Sequence, residues 1–230
     1  MALKLYYDLG SQPSRAVFMF LKLNNIPFDE VFVSIGAGEH RQEEFRKINP
    51  FRRVPVIDDN GFVLTESVAI LKYLAKKYKA PSHWYPENDT ATTARIDEYM
   101  NWQHQNLRQN CAMLFQNLIL IPRMKGMPID WEKVKFYRKK VAEMVKLLDQ
   151  YFLKNNLYLC GDEITLADLL GVCELVQLVP VREQMMYESN AKVKAWVDRV
   201  KSRLGSLFNQ THEGIFGMEA MFDPKVNSKM

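Results

Sequence analysis

"LYYDLGSQPSRAV", residues 5–17, leaves a strand and enters a helix within a few residues. Leu5, Tyr6 and Tyr7 complete the apolar run "LKLYY" (3–7), which has strand length and composition. Pro13 suits the first turn of a helix, where its missing N–H costs nothing. Val17, Phe18, Leu21 and Ile26 then recur near a period of 3.6. "EVFVS" (30–34) reads as a second strand. Strand, helix and strand in this order form a right-handed βαβ unit.

The pattern then changes. "VPVI" (54–57) and "FVL" (62–64) are short strands joined by "DDNG", and Asn60-Gly61 signals a tight hairpin. The helix "ESVAILKYLAKKYK" (66–79) follows. Residues 1–79 therefore predict a small α+β domain, βαβ then ββα, on a mixed sheet. "KAPSHWYPENDT" has two prolines and no clear period, so residues 80–89 read as a linker. Residues 90–230 read as an all-α domain, with helices expected at 91–120, 129–153, 165–178 and 190–204. "TLAD" (165–168) is a helix-capping pattern, and the tail after Gly205 is weakly patterned.

Composition narrows the function. Of 230 residues, 47% are hydrophobic and 25% charged, an ordinary globular balance. A net charge of +4 is too mild and scattered for a nucleic-acid partner, and the basic run Lys133–Lys140 reads as a solvated helix face. No apolar run reaches membrane-spanning length. Cys111, Cys160 and Cys173 are far apart, which argues against a disulfide framework or a zinc knuckle. His104 has no second His or Cys at ligand spacing. Lys4 and Asp8 interrupt what would have to be a secretory signal, so the expected location is cytoplasmic.

The chain resembles the cytosolic glutathione S-transferases, most of all their theta class. The resemblance rests on "LYYDLGSQPSRAV", "GEHRQEEFRKINPFRRVPVI" (38–57), "LTESVAILKYLAKKY" (64–78), "HWYPEN" (83–88), "ARIDEYMNWQH" (94–104) and "GDEITLADLLGVCEL" (161–175). It implies a thioredoxin-like first domain and a homodimer. It also implies glutathione as co-substrate, small electrophiles as second substrates, and no metal or other cofactor. A non-catalytic member of the same fold, serving as a binding or interaction protein, is the alternative. The tail "GIFGMEAMFDPKVNSKM" (214–230) is shorter than the extension that covers the site in mammalian theta enzymes.

The residues admit structural and chemical readings side by side. Ser11 is placed to cap a helix. A hydroxyl there is also placed to donate to a bound thiolate, because a helix start stabilises an anion. The dipole supplies ~1 kcal/mol and a charged hydrogen bond ~2, together about two pKa units on a thiol. The resemblance implies that Ser11 is catalytic. Tyr6 and Tyr7 compete for that role, since other classes use a tyrosine near the end of the first strand; the two point to opposite faces.

Glu66 and Ser67 suit a helix start, and by resemblance they hold the γ-glutamyl end of glutathione. The resemblance implies a cis Val54-Pro55 bond, with the Val54 backbone pairing with the cysteinyl backbone. It assigns His40 to the glycyl carboxylate, with Arg41 and Arg53 as supporting charge. It brings Gln105 and Arg108 to glutathione from the helical domain. Arg108, Cys111 and Phe115 share one helix face, which reads either as a pocket wall or as a domain-interface stripe.

Overall fold

The structure, a computed structural model describing residues 3–218, begins with β1 (Leu3–Tyr7). Alternation along this strand sends Leu3 and Leu5 into the main core and Tyr6 to the opposite face. Helix α1 (Gln12–Leu23) crosses to β2 (Asp29–Phe32), which pairs in parallel with β1. A short α2 (Glu43–Ile48) follows, then the hairpin of β3 (Val56–Asp59) and β4 (Phe62–Thr65), and then α3 (Ser67–Lys77). The sheet order is β2-β1-β3-β4, with β3 antiparallel to both neighbours. This is the mixed sheet that the βαβ-ββα reading predicts.

The hairpin turns on Asn60 and Gly61, at φ 56° and 91°. Two consecutive positive φ values match the twist of the flanking strands. Two details depart from expectation. The third strand starts at Val56, two residues late, because Pro55 has no N–H for a ladder bond. The helix α2 is absent from the sequence reading. It buries only Phe45, so its sequence carries almost no periodic apolar signal.

The second domain opens with a long helical run. It is α-helical in α4 (Thr90–Gln103), α5 (Gln109–Phe115) and α6 (Ile121–Lys125), and widens into π-turns at His104–Arg108 and Gln116–Leu120. Then come α7 (Trp131–Leu147), α8 (Leu166–Val176), the short α9 (Met185–Glu188), α10 (Ala191–Leu204) and α11 (Ser206–Gly217). Every residue of α8 is buried, and its start carries the expected capping box. The Asp168 carboxylate accepts from Thr165 N at 2.8 Å, Leu159 N at 2.9 Å and Trp196 Nε1 at 2.8 Å.

Helix α11 corrects the weak-tail reading. Phe208, Thr211, His212 and Ile215 share its buried face, but two of them are polar and dilute the apolar period. Residues 219–230 of the tail lie outside the described residues. The 80–89 stretch is pinned rather than loose. Trp84 and Tyr85 are buried, Trp84 meets Phe20 edge-on at 5.6 Å, and its carbonyl accepts from Leu166 N at 3.1 Å.

The two domains meet where α1 packs on α8. Arg15, fully buried, spans that seam. It donates to the Leu9 carbonyl (2.8 Å) on its own side, and to the Cys173 carbonyl (3.1 Å) and Gln177 Oε1 (2.7 Å) on α8.

Candidate functional site

Two helix starts converge on Val54-Pro55. At the first, Ser11 holds the N-cap position of α1 with an extended backbone, yet its hydroxyl makes no capping bond. The hydroxyl is buried and lies 3.5 Å from the Val54 carbonyl, the outer limit of a hydrogen bond. Ser11 thus takes the position of a cap without doing a cap's work. The loop that carries it is tied down by Asp8, which accepts from Gly10 N (2.7 Å) and Ile35 N (2.8 Å).

The Val54-Pro55 bond is cis. At the second helix start, Glu66 precedes α3 with φ 66° and ψ 109°, and its side chain makes no capping bond. A non-glycine residue in that region stores roughly 1–3 kcal/mol of strain. Ser67, the first residue of α3, is 6% exposed.

Around these starts lie two adjoining lobes. A lobe of about 220 Å³ is lined by Arg53, Val54, Pro55, Glu66, Ser67, His104 and Arg108, with Pro13, Asn49 and Thr65. A lobe of about 480 Å³ is lined by His40, Arg41, Arg52, Arg53, Val54 and Arg108, with Ile35 and Phe51. Arg53, Val54 and Arg108 border both. Ser11 lines neither lobe; its hydroxyl faces the carbonyl of Val54, which borders both. Gln105 is exposed and lines neither lobe; His104, beside it in the same π-turn, does. The sequence presents His104 only as a metal ligand without a partner at ligand spacing. Nothing in the sequence signals the π-turn that carries it.

The shared face of Arg108, Cys111 and Phe115 divides. Arg108 reaches the lobes, whereas Cys111 and Phe115 are buried in the core. The Cys111–Phe115 part packs inside the helical domain, where α5 meets α7 and α8, and does not wall a pocket.

Neither Tyr6 nor Tyr7 lines the lobes. The Tyr7 hydroxyl donates to Glu30 at 2.6 Å, and burial and that carboxylate push its pKa up to about 12. Its O–H is committed to Glu30. Tyr6 lies on the other face of the sheet, edge-on to Phe45. Burial, then the charge of Arg41, lowers the His40 pKa. Burial, then Arg108, lowers that of His104, with Glu66 opposing. Neutral imidazoles beside fixed arginine charges make a rim that suits carboxylates.

Another cavity of about 480 Å³ reaches Asp89, but that helix start is closed by its own carboxylate, which accepts from Thr92 N at 3.0 Å. Among the described residues, no cluster of three or more His, Cys, Asp or Glu is able to hold a metal ion. No described helix is long and apolar enough to cross a membrane.

Comparison with known proteins gives concordant results. The glutathione S-transferase N-terminal domain matches residues 1–76, and the corresponding C-terminal domain matches residues 120–203. Glutathione S-transferase theta-1 of Bos taurus is 40% identical, covering 100% of this chain and 96% of that protein. Human glutathione-S-transferase T1-1, in its apo form, superposes with a TM-score of 0.90 at 38% identity, covering 99% of this chain and 95% of that one. A human theta-class transferase in complex with the glutathione conjugate of 1-menaphthyl sulfate gives a TM-score of 0.92 at 36% identity, covering 98% and 92%.

Proposed function

The chain belongs to the theta class of the glutathione S-transferases, and from that premise we propose that its two lobes hold glutathione while Ser11 ionises the thiol. The γ-glutamyl end lies in the smaller lobe. Its ammonium meets Glu66, and its carboxylate meets the Ser67 hydroxyl and the free N–H groups of α3. The cysteinyl backbone pairs with the Val54 main chain beside Pro55. The glycyl carboxylate lies in the larger lobe, with His40, Arg41 and Arg53. Arg108 reaches the junction of the two lobes from the helical domain. Gln105 stays outside this contact set.

The thiol proton leaves to solvent, and the Ser11 O–H donates to the thiolate that remains. The thiolate attacks an electrophilic carbon of an apolar substrate. A carbon–sulfur bond forms, and the leaving group departs with its electron pair. Ser11 keeps its own proton throughout. Catalysis therefore consists of binding, ionising and orienting the thiol. Conjugation of this kind serves detoxification in the cytosol.

One observation carries the reading: the Ser11 hydroxyl is buried at the head of α1 and does not serve as its cap. A hydroxyl held there with only a 3.5 Å contact to the Val54 carbonyl is available to an anion. The test is a panel of alkyl halides, epoxides, peroxides and aryl halides incubated with glutathione and the protein. Thioether formation above the uncatalysed rate supports the proposal. Binding of glutathione without turnover of any member would reduce the protein to a carrier.

We also propose a homodimer, on the resemblance and on Phe51, which is 65% exposed at the edge of the larger lobe. Sedimentation at micromolar concentration should give twice the chain mass of 26.9 kDa. A monomer would overturn it.

A further inference from the structure

Glu174 on α8 is a carboxylate in a place that disfavours one. Its side chain is 0% exposed. Oε1 accepts from Arg108 Nη1 at 2.9 Å, and Oε2 is buried with no hydrogen-bond partner. Burial pushes its pKa up, and Arg108 and Arg15 pull it back. Its charge is also felt by the Tyr99 hydroxyl, itself buried and unpartnered, and by the thiols of Cys111 and Cys173. Stability alone would be served as well by an apolar residue, since a buried ion pair seldom beats good packing. A half-satisfied buried carboxylate calls for another explanation.

The explanation lies at the other end of the pair. Arg108 is the side chain of the helical domain that borders both lobes, and 31% of it is exposed. It projects from a π-turn, a local widening that often marks functional positions. A long, flexible guanidinium at a partly open rim would sample many rotamers, and immobilising it on ligand binding would weaken affinity. An anchor beneath it removes that loss in advance.

We propose that Glu174 is a positioning residue: from the interior of α8 it holds the Arg108 guanidinium at the junction of the two lobes, so that the remaining N–H groups meet glutathione. Glu174 does not touch the ligand and acts only through Arg108. The inference rests on the reading that Arg108 contacts glutathione.

The test is a double-mutant cycle on the intact protein, with glutathione affinity read by calorimetry and stability by thermal melting. Arg108→Ala and Glu174→Leu should each weaken glutathione about tenfold. The double variant should bind within about twofold of Arg108→Ala alone, because the carboxylate has nothing left to position. Glu174→Gln, which keeps an acceptor and loses the charge, should fall between wild type and Glu174→Leu. The Glu174→Leu melting temperature should hold or rise, which separates positioning from structural support.

If Arg108→Ala binds weakly while both Glu174 variants bind like wild type, the inference fails and the Arg108 reading stands. Equal weakening by Glu174→Leu in wild-type and Arg108→Ala backgrounds also overturns it. If Arg108→Ala binds like wild type, the Arg108 reading fails and the inference falls with it. Should Glu174→Leu not fold, Glu174→Gln enters the same cycle, with about a threefold loss, again absent from the Arg108→Ala background, as the expected result.

Discussion

Replacing Ser67 by alanine separates binding from folding more cleanly than any other change at the site. Ser67 opens α3 and is 6% exposed on the wall of the smaller lobe. It follows the N-cap position rather than filling it, and alanine is a good helix former, so stability should change by no more than about 0.5 kcal/mol. Binding should respond differently. Without the hydroxyl, the γ-glutamyl carboxylate meets a buried helix start that is short of one donor. That deficit costs roughly 1.5–3 kcal/mol, or about 10- to 150-fold in Kd. Calorimetric titration with glutathione measures the affinity, and thermal melting of the same preparation measures stability. A folded Ser67→Ala protein that binds glutathione as tightly as wild type would refute the placement of the γ-glutamyl end.

Two further changes probe strain and titration. Glu66→Gly removes the ammonium partner and relieves the strained φ of 66°; the relief of about 1–3 kcal/mol is offset in part by ~1 kcal/mol of glycine chain entropy. Its melting temperature should therefore hold or rise while glutathione affinity falls, and a large loss of stability would contradict the strain argument. His212 is buried, and burial and then Arg15 lower its pKa from 6.5 to about 3. The unfolded chain thus binds one more proton between those values, so this residue's stability contribution is present above pH 6.5 and is lost as pH falls toward 3. At pH 5 the loss is about 2 kcal/mol. Denaturant melts from pH 7 to 5 should show it, and His212→Phe should flatten the slope; an unchanged slope would show that His212 is not the group responsible.

The sequence made some elements legible because local chemistry and global fold agree there. Asn60-Gly61 names its own turn, and Thr165 to Asp168 names its own cap. The run from Leu5 to Val17 carries both periods, two and then 3.6, in one line. Other features depend on contacts that no local pattern encodes. The "QEEFRKI" stretch buries only Phe45, so its helix has no apolar face to read. The π-turn at His104–Arg108 departs from the 3.6 period, and His104, not Gln105, lines the smaller lobe. Glu174 sits in an apolar run, "GVCELV", and only the arrival of Arg108 from another helix gives it a partner. Of the candidate residues, those beside a turn, a proline or a helix start were legible. Those set by a π-turn or by the packing of one helix on another were not.

The central claim is that the Ser11 hydroxyl stabilises the glutathione thiolate. The direct measurement is ultraviolet thiolate absorbance of the glutathione complex as a function of pH, in wild type, Ser11→Ala and Tyr7→Phe. Ser11 makes no capping bond, so its replacement should cost well under the ~1 kcal/mol of a lost cap. It should raise the bound thiol's pKa by about one to two units, equivalent to about 1.4–2.7 kcal/mol. Turnover at neutral pH should fall at least about tenfold, with glutathione affinity little changed. Tyr7→Phe should leave the thiol pKa in place, because that phenol is committed to Glu30. A thiol pKa that rises in Tyr7→Phe and not in Ser11→Ala would contradict the account.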